Sequence, residues 1–264
     1  MAKESKYISK KPDDRGFVNY SQEENDTWGI LYKRQIAILE NRACDEYIEG
    51  LKTLSMTTDS IPQIPDINHA MASITEWGVA PVPALIGFEK FFKLLANKKF
   101  PAATFIRTLD ELDYLQEPDI FHEIFGHCPM LTNKAYAHFS QKYGEFALTC
   151  TPKERVKLAK IYWFTIEFGL LKTEEGLRIY GGGILSSIAE TPYSLESNKA
   201  EHREFNIIDI LRTPYRIDIL QPIYYVLDSL DDLYSVFDLD LKKSIVQASE
   251  LGMFAPLFTP KDKT

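Results

Sequence analysis

Long apolar runs are missing from this 264-residue chain. No stretch approaches the roughly 20 apolar residues of a membrane span, and Pro81 and Pro83 interrupt the segment from Trp77 to Phe88. The first residues, MAKESKYISKKPDDRG, hold no apolar core of the kind a secretory signal needs. Positive charge is also short, with 30 Lys and Arg against 38 Asp and Glu and a net charge of −8. Phosphate recognition needs a basic face, so nucleic acid is excluded as the main partner. Cysteine is scarce: Cys44, Cys128 and Cys150 stand at no metal-ribbon or redox spacing. Together these absences predict a soluble, reduced protein of the cytoplasm with no membrane partner.

Repeats, low-complexity tracts and Gly/Ser linkers are absent too, so nothing divides the chain. With 45% hydrophobic and 12% aromatic residues, it can bury one large core near the ~250–300 residue limit for a single domain. Residues 1–24 read as a polar, loose tail and 25–264 as one domain. From Trp28, the apolar residues Leu31, Ile36, Leu39, Ala43, Tyr47 and Leu51 recur at helical spacing. IPQIPD ends that helix, Asp66 can cap a shorter one that Gly78 stops, and VAPVPALIGF reads as an extended surface piece before a helix around Phe91, Phe92 and Leu95. Thr108 with Glu111, and Thr151 with Pro152 and Glu154, are capping-box patterns. The second opens a helix expected to reach about Leu171. Short strands are expected over Leu177 to Tyr180 and Tyr215 to Ile219, and a helical pattern from Leu227 to Leu251 ends at Gly252. The fold class is mainly α with a small β component (α+β).

The run PDIFHEIFGHCP holds two of the five histidines. At about 100° per residue, His122 and His127 diverge by roughly 140° on an α-helix. They share a face only if the helix ends or distorts between them, and Gly126 offers that freedom. Otherwise one histidine faces solvent and the other the core. On the following helix the stripe Val156, Ala159, Trp163, Ile166 and Leu170 carries Glu167 on its inner side. A buried carboxylate needs a cation or a metal, and Arg107 or a metal site both satisfy that need. Two imidazoles and one carboxylate with open positions suit non-haem Fe(II). Zinc competes, with Glu123 as the base of a hydrolase, although zincins space their histidines at i and i+4. A helical protein-binding domain with merely structural polar residues is the third reading. The His-x-acid motif of 2-oxoglutarate oxygenases is absent. Cys128 reads as packing, and His69 and His138 as structural or surface residues. Phe91, Phe121, Phe125, Tyr162, Trp163 and Phe168 could wall a flat ligand.

The strings PDIFHEIFGHCPML, IYWFTIEFGL, YGGGILSSIAE and LQPIYYV occur in this order and resemble the catalytic domain of the pterin-dependent aromatic amino acid hydroxylases. The length is similar to that of bacterial members made of this domain alone, without the regulatory domain or tetramerisation helix of animal members. The resemblance implies His122, His127 and Glu167 as ligands of Fe(II). It implies a tetrahydropterin cosubstrate held by Leu85, Ile86, Phe91, Glu123, Ala159 and Tyr162, and O2 as oxidant. Arg107, Trp163, Gly183, Ser186 and Ile217 then match the amino-acid subsite, with Arg107 suited to a carboxylate. Leu115 and Phe88 depart from the animal pattern. Members differ in substrate: Trp163 leaves less room for a bicyclic ring than the phenylalanine of tryptophan hydroxylases. Ile217 stands where tyrosine hydroxylases carry an acid, so L-phenylalanine is the implied substrate and L-tyrosine the product.

Overall fold

A capping box that the spacing analysis did not single out starts the first helix. In the computed structural model, which describes residues 5–259, the Ser21 side chain accepts from the Glu24 N–H and the Glu24 carboxylate accepts from the Ser21 N–H. Helix α1 spans Gln22–Leu39 and α2 spans Asp45–Thr53, so the single helix expected from Trp28 to Leu51 is two. Asn41 breaks it with a left-handed φ of 59°, and the freed backbone pairs elsewhere: the Ile179 N–H donates to Arg42 and the Cys44 N–H to Ile179. Both helices still bury the predicted side chains, Trp28, Leu31, Leu39, Tyr47 and Leu51.

The loose tail expected over 1–24 is corrected over the described residues. Thr104 donates its hydroxyl to the Lys10 carbonyl at 2.6 Å, Tyr7 stacks on Phe105 at 4.6 Å, and the Gln63 amide brackets Val18. Polar composition was misleading because these contacts reach residues far along the chain. Helix α3 spans Ile64–Ala72 and starts after Gln63, which makes no side-chain cap bond, so Asp66 is not the cap but lies inside the first turn.

Part of the expected surface piece is strand β1 (Gly78–Val82), which pairs in parallel with β2 (Lys99–Ala103) across α4 (Phe88–Ala96). The Thr108 box does not form. Only a short 3-10 turn, Leu109–Glu111, follows, without a bond from the Thr108 side chain to its backbone. Helix α5 (Lys134–Leu148) lies against α4, so closely that a Cβ on Gly144 would sit 2.5 Å from the Ala96 nitrogen. Helix α6 spans Pro152–Tyr162 behind the Thr151–Glu154 box, which is present.

The second sheet holds β3 (Gly169–Thr173), β4 (Gly176–Ile179), β5 (Glu201–Glu204) and β6 (Ile223–Leu227) in the order β4-β3-β6-β5. Only the β3–β4 pair is antiparallel. Between these strands run α7 (Gly182–Leu185), α8 (Glu190–Glu196) and α9 (Ile207–Arg212). Tyr215 to Ile219 is irregular, against the strand expected there. The pattern from Leu227 splits into β6, α10 (Asp232–Ser235), a 3-10 turn and α11 (Leu241–Leu251), which Gly252 ends with a φ of 76°. The architecture is mainly α with a small β component, as expected. Among the described residues no helix is long and apolar enough to cross a membrane.

Candidate active site

The conflict between the two histidines resolves through an uncommon helix. Phe121–His127 is π-helical, with hydrogen bonds spanning five residues, so i and i+5 become neighbours. The His122 and His127 Nε2 atoms lie 3.1 Å apart, on rings set at 83° to one another. Gly126 does not act by backbone freedom, since it has no left-handed φ. A Cβ there would come within 2.8 Å of the Gly182 carbonyl and 3.2 Å of the Ser186 side chain; glycine lets α7 approach the histidines.

A second π-helical segment, Trp163–Glu167, continues α6, and the chain then turns into β3. The helix expected to reach Leu171 therefore stops at Glu167. Its buried face is corrected in part: Ile166 and Leu170 are buried as expected and Ala159 and Trp163 half-buried, but Val156 is 71% exposed, and Leu158, Ile161, Phe164 and Thr165 are buried as well. The wider π turn changes the periodicity on which the stripe relied. Glu167 nonetheless points inward. Its Oε1 lies 3.5 Å from His127 Nε2 and its Oε2 3.7 Å from His122 Nε2. The glycines of YGGG form the floor beneath this trio: a Cβ on Gly182 would overlap the His127 ring, and one on Gly183 would sit 2.9 Å from Glu167 Oε2.

Burial pushes the His122 pKa down to about 4, so its imidazole is neutral. Burial opposes ionisation of Glu167, yet the two facing histidines hold its carboxyl below the usual range. Glu123 also has a carboxyl oxygen within 4.8 Å of ligand atoms of both histidines, but burial, with Glu167 and Asp119 nearby, pushes it well above the usual range. Glu167, with one oxygen set against each histidine Nε2, is the better placed third donor. Ser186 fixes the His122 tautomer. Its hydroxyl donates to the Gly182 carbonyl at 2.8 Å, so its oxygen accepts from His122 Nδ1–H at 2.9 Å and leaves the Nε2 lone pair free. These donors fit a divalent cation of the non-haem iron kind. His122 and Glu167 keep 20% and 15% of their side-chain surface open, which leaves an approach for further ligands. Ser186→Ala is expected to weaken metal binding ~10–100-fold, as loss of such an orienting partner does. Chelator competition measures it, and an unchanged affinity counts against this role.

Arg107 does not pair with Glu167. Its Nε and Nη2 grip Asp119 at 2.8 and 2.9 Å, and Asp119 also accepts the backbone N–H groups of Arg107 and His122. The ion-pair alternative for Glu167 is thereby removed. A cavity of about 550 Å³ opens beside the trio, lined by His122, Glu167, Arg107, Trp163, Gly183, Ser186 and Ile217. Every residue expected at the amino-acid subsite thus reaches one space. Phe168 and Leu115 line it as well, as do Gln35 and Glu190, which sequence reasoning did not single out. Gln35 comes from α1, far from the motifs in sequence, whereas Glu190 ends the YGGGILSSIAE string at the start of α8, where no spacing marks it.

The residues expected around a pterin do not line this cavity. Phe91 meets Tyr162 edge to face at 5.4 Å, and Ala159 lies on the same helix, half-buried. Burial, and after it the nearby Glu167 charge, push the Tyr162 hydroxyl up. Leu85 is exposed on the segment before α4, with Ile86 half-buried beside it, and Phe88, the first residue of α4, is 72% exposed. Of the other expected aromatic walls, Phe121 lines the cavity, whereas Phe125 stacks on it inside the core. Cys128 is buried with Sγ 3.6 Å from the Glu123 carbonyl, His138 rests against the Tyr234 ring, and His69 is exposed.

Fold and site define a class: a helical domain whose two histidines and one carboxylate converge beside an aromatic cavity, the donor set of mononuclear oxygenases. Residues 3–244 match the model of the biopterin-dependent aromatic amino acid hydroxylases, and the chain belongs to that family. The phenylalanine-4-hydroxylase of Pseudomonas aeruginosa is 52% identical over 98% of both chains. The cold-active phenylalanine hydroxylase of Colwellia psychrerythraea superposes with a TM-score of 0.93 at 53% identity, over 95% of this chain and 97% of that one. The phenylalanine hydroxylase of Chromobacterium violaceum, solved with bound oxidised Fe(III), gives 0.87 at 37% identity over 96% and 94%. Family membership leaves the zinc-hydrolase and protein-binding readings without support.

Proposed function

We propose that this protein is a phenylalanine 4-monooxygenase, converting L-phenylalanine to L-tyrosine with O2 and a tetrahydropterin, and that residues 25–264 are its catalytic domain. The observation that carries the reading is the convergence of His122, His127 and Glu167 at a cavity walled by Trp163 and Phe168. These three residues would hold Fe(II), which together with the pterin supplies the activation of O2. The chain's own residues do the rest. Asp119 holds the Arg107 guanidinium in one orientation at the cavity wall, where its charge suits the substrate carboxylate. Trp163 and Phe168, 4.5 Å apart, wall the place of the substrate ring. Phe91 and Tyr162 would offer the pterin an aromatic face. Three buried free cysteines and a need for reduced iron and pterin support a cytoplasmic location.

Ile217 lines the cavity and offers no hydrogen bond to a phenolic hydroxyl, whose desolvation costs about 1–3 kcal/mol. Trp163 narrows the space for an indole. Anaerobically iron-loaded enzyme given tetrahydropterin and each aromatic amino acid is therefore expected to form tyrosine, with kcat/KM for phenylalanine at least about tenfold above either rival. Faster turnover of tyrosine or tryptophan would refute the substrate assignment.

A further inference from the structure

Gln221, 1% exposed at the entry to β6, makes more directed contacts than a core amide needs. Its Oε1 accepts the Trp163 indole N–H at 3.1 Å. Its Nε2 donates to the Arg216 and Ile219 carbonyls, each at 2.8 Å. An amide turned over would set NH2 against the indole N–H and oxygen against two carbonyls, so the network permits one orientation. The residue is itself anchored: its backbone N–H donates to Glu190 Oε1 at 2.9 Å, and the same carboxylate accepts the Tyr224 hydroxyl.

Both structures tied by this amide face the substrate cavity. Trp163 lines it from the second π-helical segment, and Ile217, Ile219 and Leu220 line it from the irregular stretch before β6. Tyr215, from that same stretch, stacks on the indole at 4.5 Å and 22°. Stacking alone lets the ring slide in its plane, whereas a hydrogen bond to Nε1 sets its rotation. Resting on the function proposed above, we infer that Gln221 is a positioning residue that clamps Trp163 to the 216–220 stretch, and so sets the cavity width that selects a single-ring amino acid.

The test is Gln221→Met, which keeps the volume and removes all three side-chain bonds. KM for phenylalanine should rise about tenfold with kcat within about twofold, and the kcat/KM ratio of phenylalanine over tryptophan should fall about tenfold. Iron content and pterin KM should not move. Calorimetry should show a matching loss of phenylalanine affinity, independently of turnover. In a Trp163→Phe background, which lacks the indole N–H, adding Gln221→Met should change the ratio by less than about twofold. A lower melting temperature with an unchanged ratio and affinity overturns the inference, because a merely structural amide would act that way. An equal loss in the Trp163→Phe background overturns it too. If Gln221→Met does not fold, Gln221→Glu keeps an acceptor for the indole and loses both donors to the loop, and an unchanged KM there is equally fatal. Wild-type protein that fails to bind phenylalanine would instead refute the proposed function.

Discussion

Glu167→Ala is expected to reduce bound iron from stoichiometric to background and to abolish tyrosine formation with it. The carboxylate sets one oxygen against each histidine Nε2, and the histidines alone offer only two neutral donors. Without it a divalent cation meets an incomplete, uncompensated set in a low-dielectric site. His122→Ala and His127→Ala should behave alike, whereas Cys128→Ser should retain iron because its sulfur faces the Glu123 carbonyl. Elemental analysis after gel filtration, with circular dichroism to verify folding, measures both. A folded Glu167→Ala protein with a full complement of iron would remove Glu167 from the site.

Asp119→Ala should destabilise the fold by about 3–5 kcal/mol, the cost of leaving a buried partner charge alone. Asp119 is fully buried and Arg107 nearly so, and the loss would also orphan the backbone N–H groups of Arg107 and His122. Burial works against this carboxylate, but Arg107 and the two N–H groups hold it below its ordinary range. The sign follows: a lowered folded pKa gives stability that is present above the unfolded value of about 3.9 and lost as pH falls through the folded one. Urea unfolding of the wild type should therefore weaken below about pH 4, and the variant should lack this contribution. A loss under about 1 kcal/mol would show that water replaces the pair.

The ligand segments were legible because chemistry leaves marks in one dimension. Two histidines in a proline-bounded run and an acid on an apolar helix are local signals, and the incompatibility of i and i+5 with an α-helix correctly announced a distortion. The kind of distortion was not legible, since no residue in FHEIFGH prescribes a π turn over a helix end. Val156 was misplaced for the same reason: periodicity assumes a constant repeat, and α6 changes its repeat beyond Tyr162. Strands β5 and β6 and the break at Asn41 depend on partners distant in sequence. So do the contacts of the tail with Thr104 and Phe105. The Thr108 pattern failed where the Thr151 pattern succeeded: the Thr108 hydroxyl turns to the Glu111 carboxylate and not to the backbone, and only a 3-10 turn follows.

Each π-helical segment holds about one residue more per turn than an α-helix would, and the first delivers both histidines and the second Glu167. In the grammar of insertion and deletion, the centre is therefore a frame. Removing one residue between His122 and His127 would restore the commoner hydrogen-bond ladder with the two rings still on one face, at i and i+4, yet it would turn everything beyond the deletion by about 100° against Ser186 and Glu167, which face the pair. Substitutions along these turns alter the neighbours of the trio one at a time, whereas a change of length disassembles it at once. Tolerance to length is thus a property of the loops in this domain, and two of its helices are counted out residue by residue.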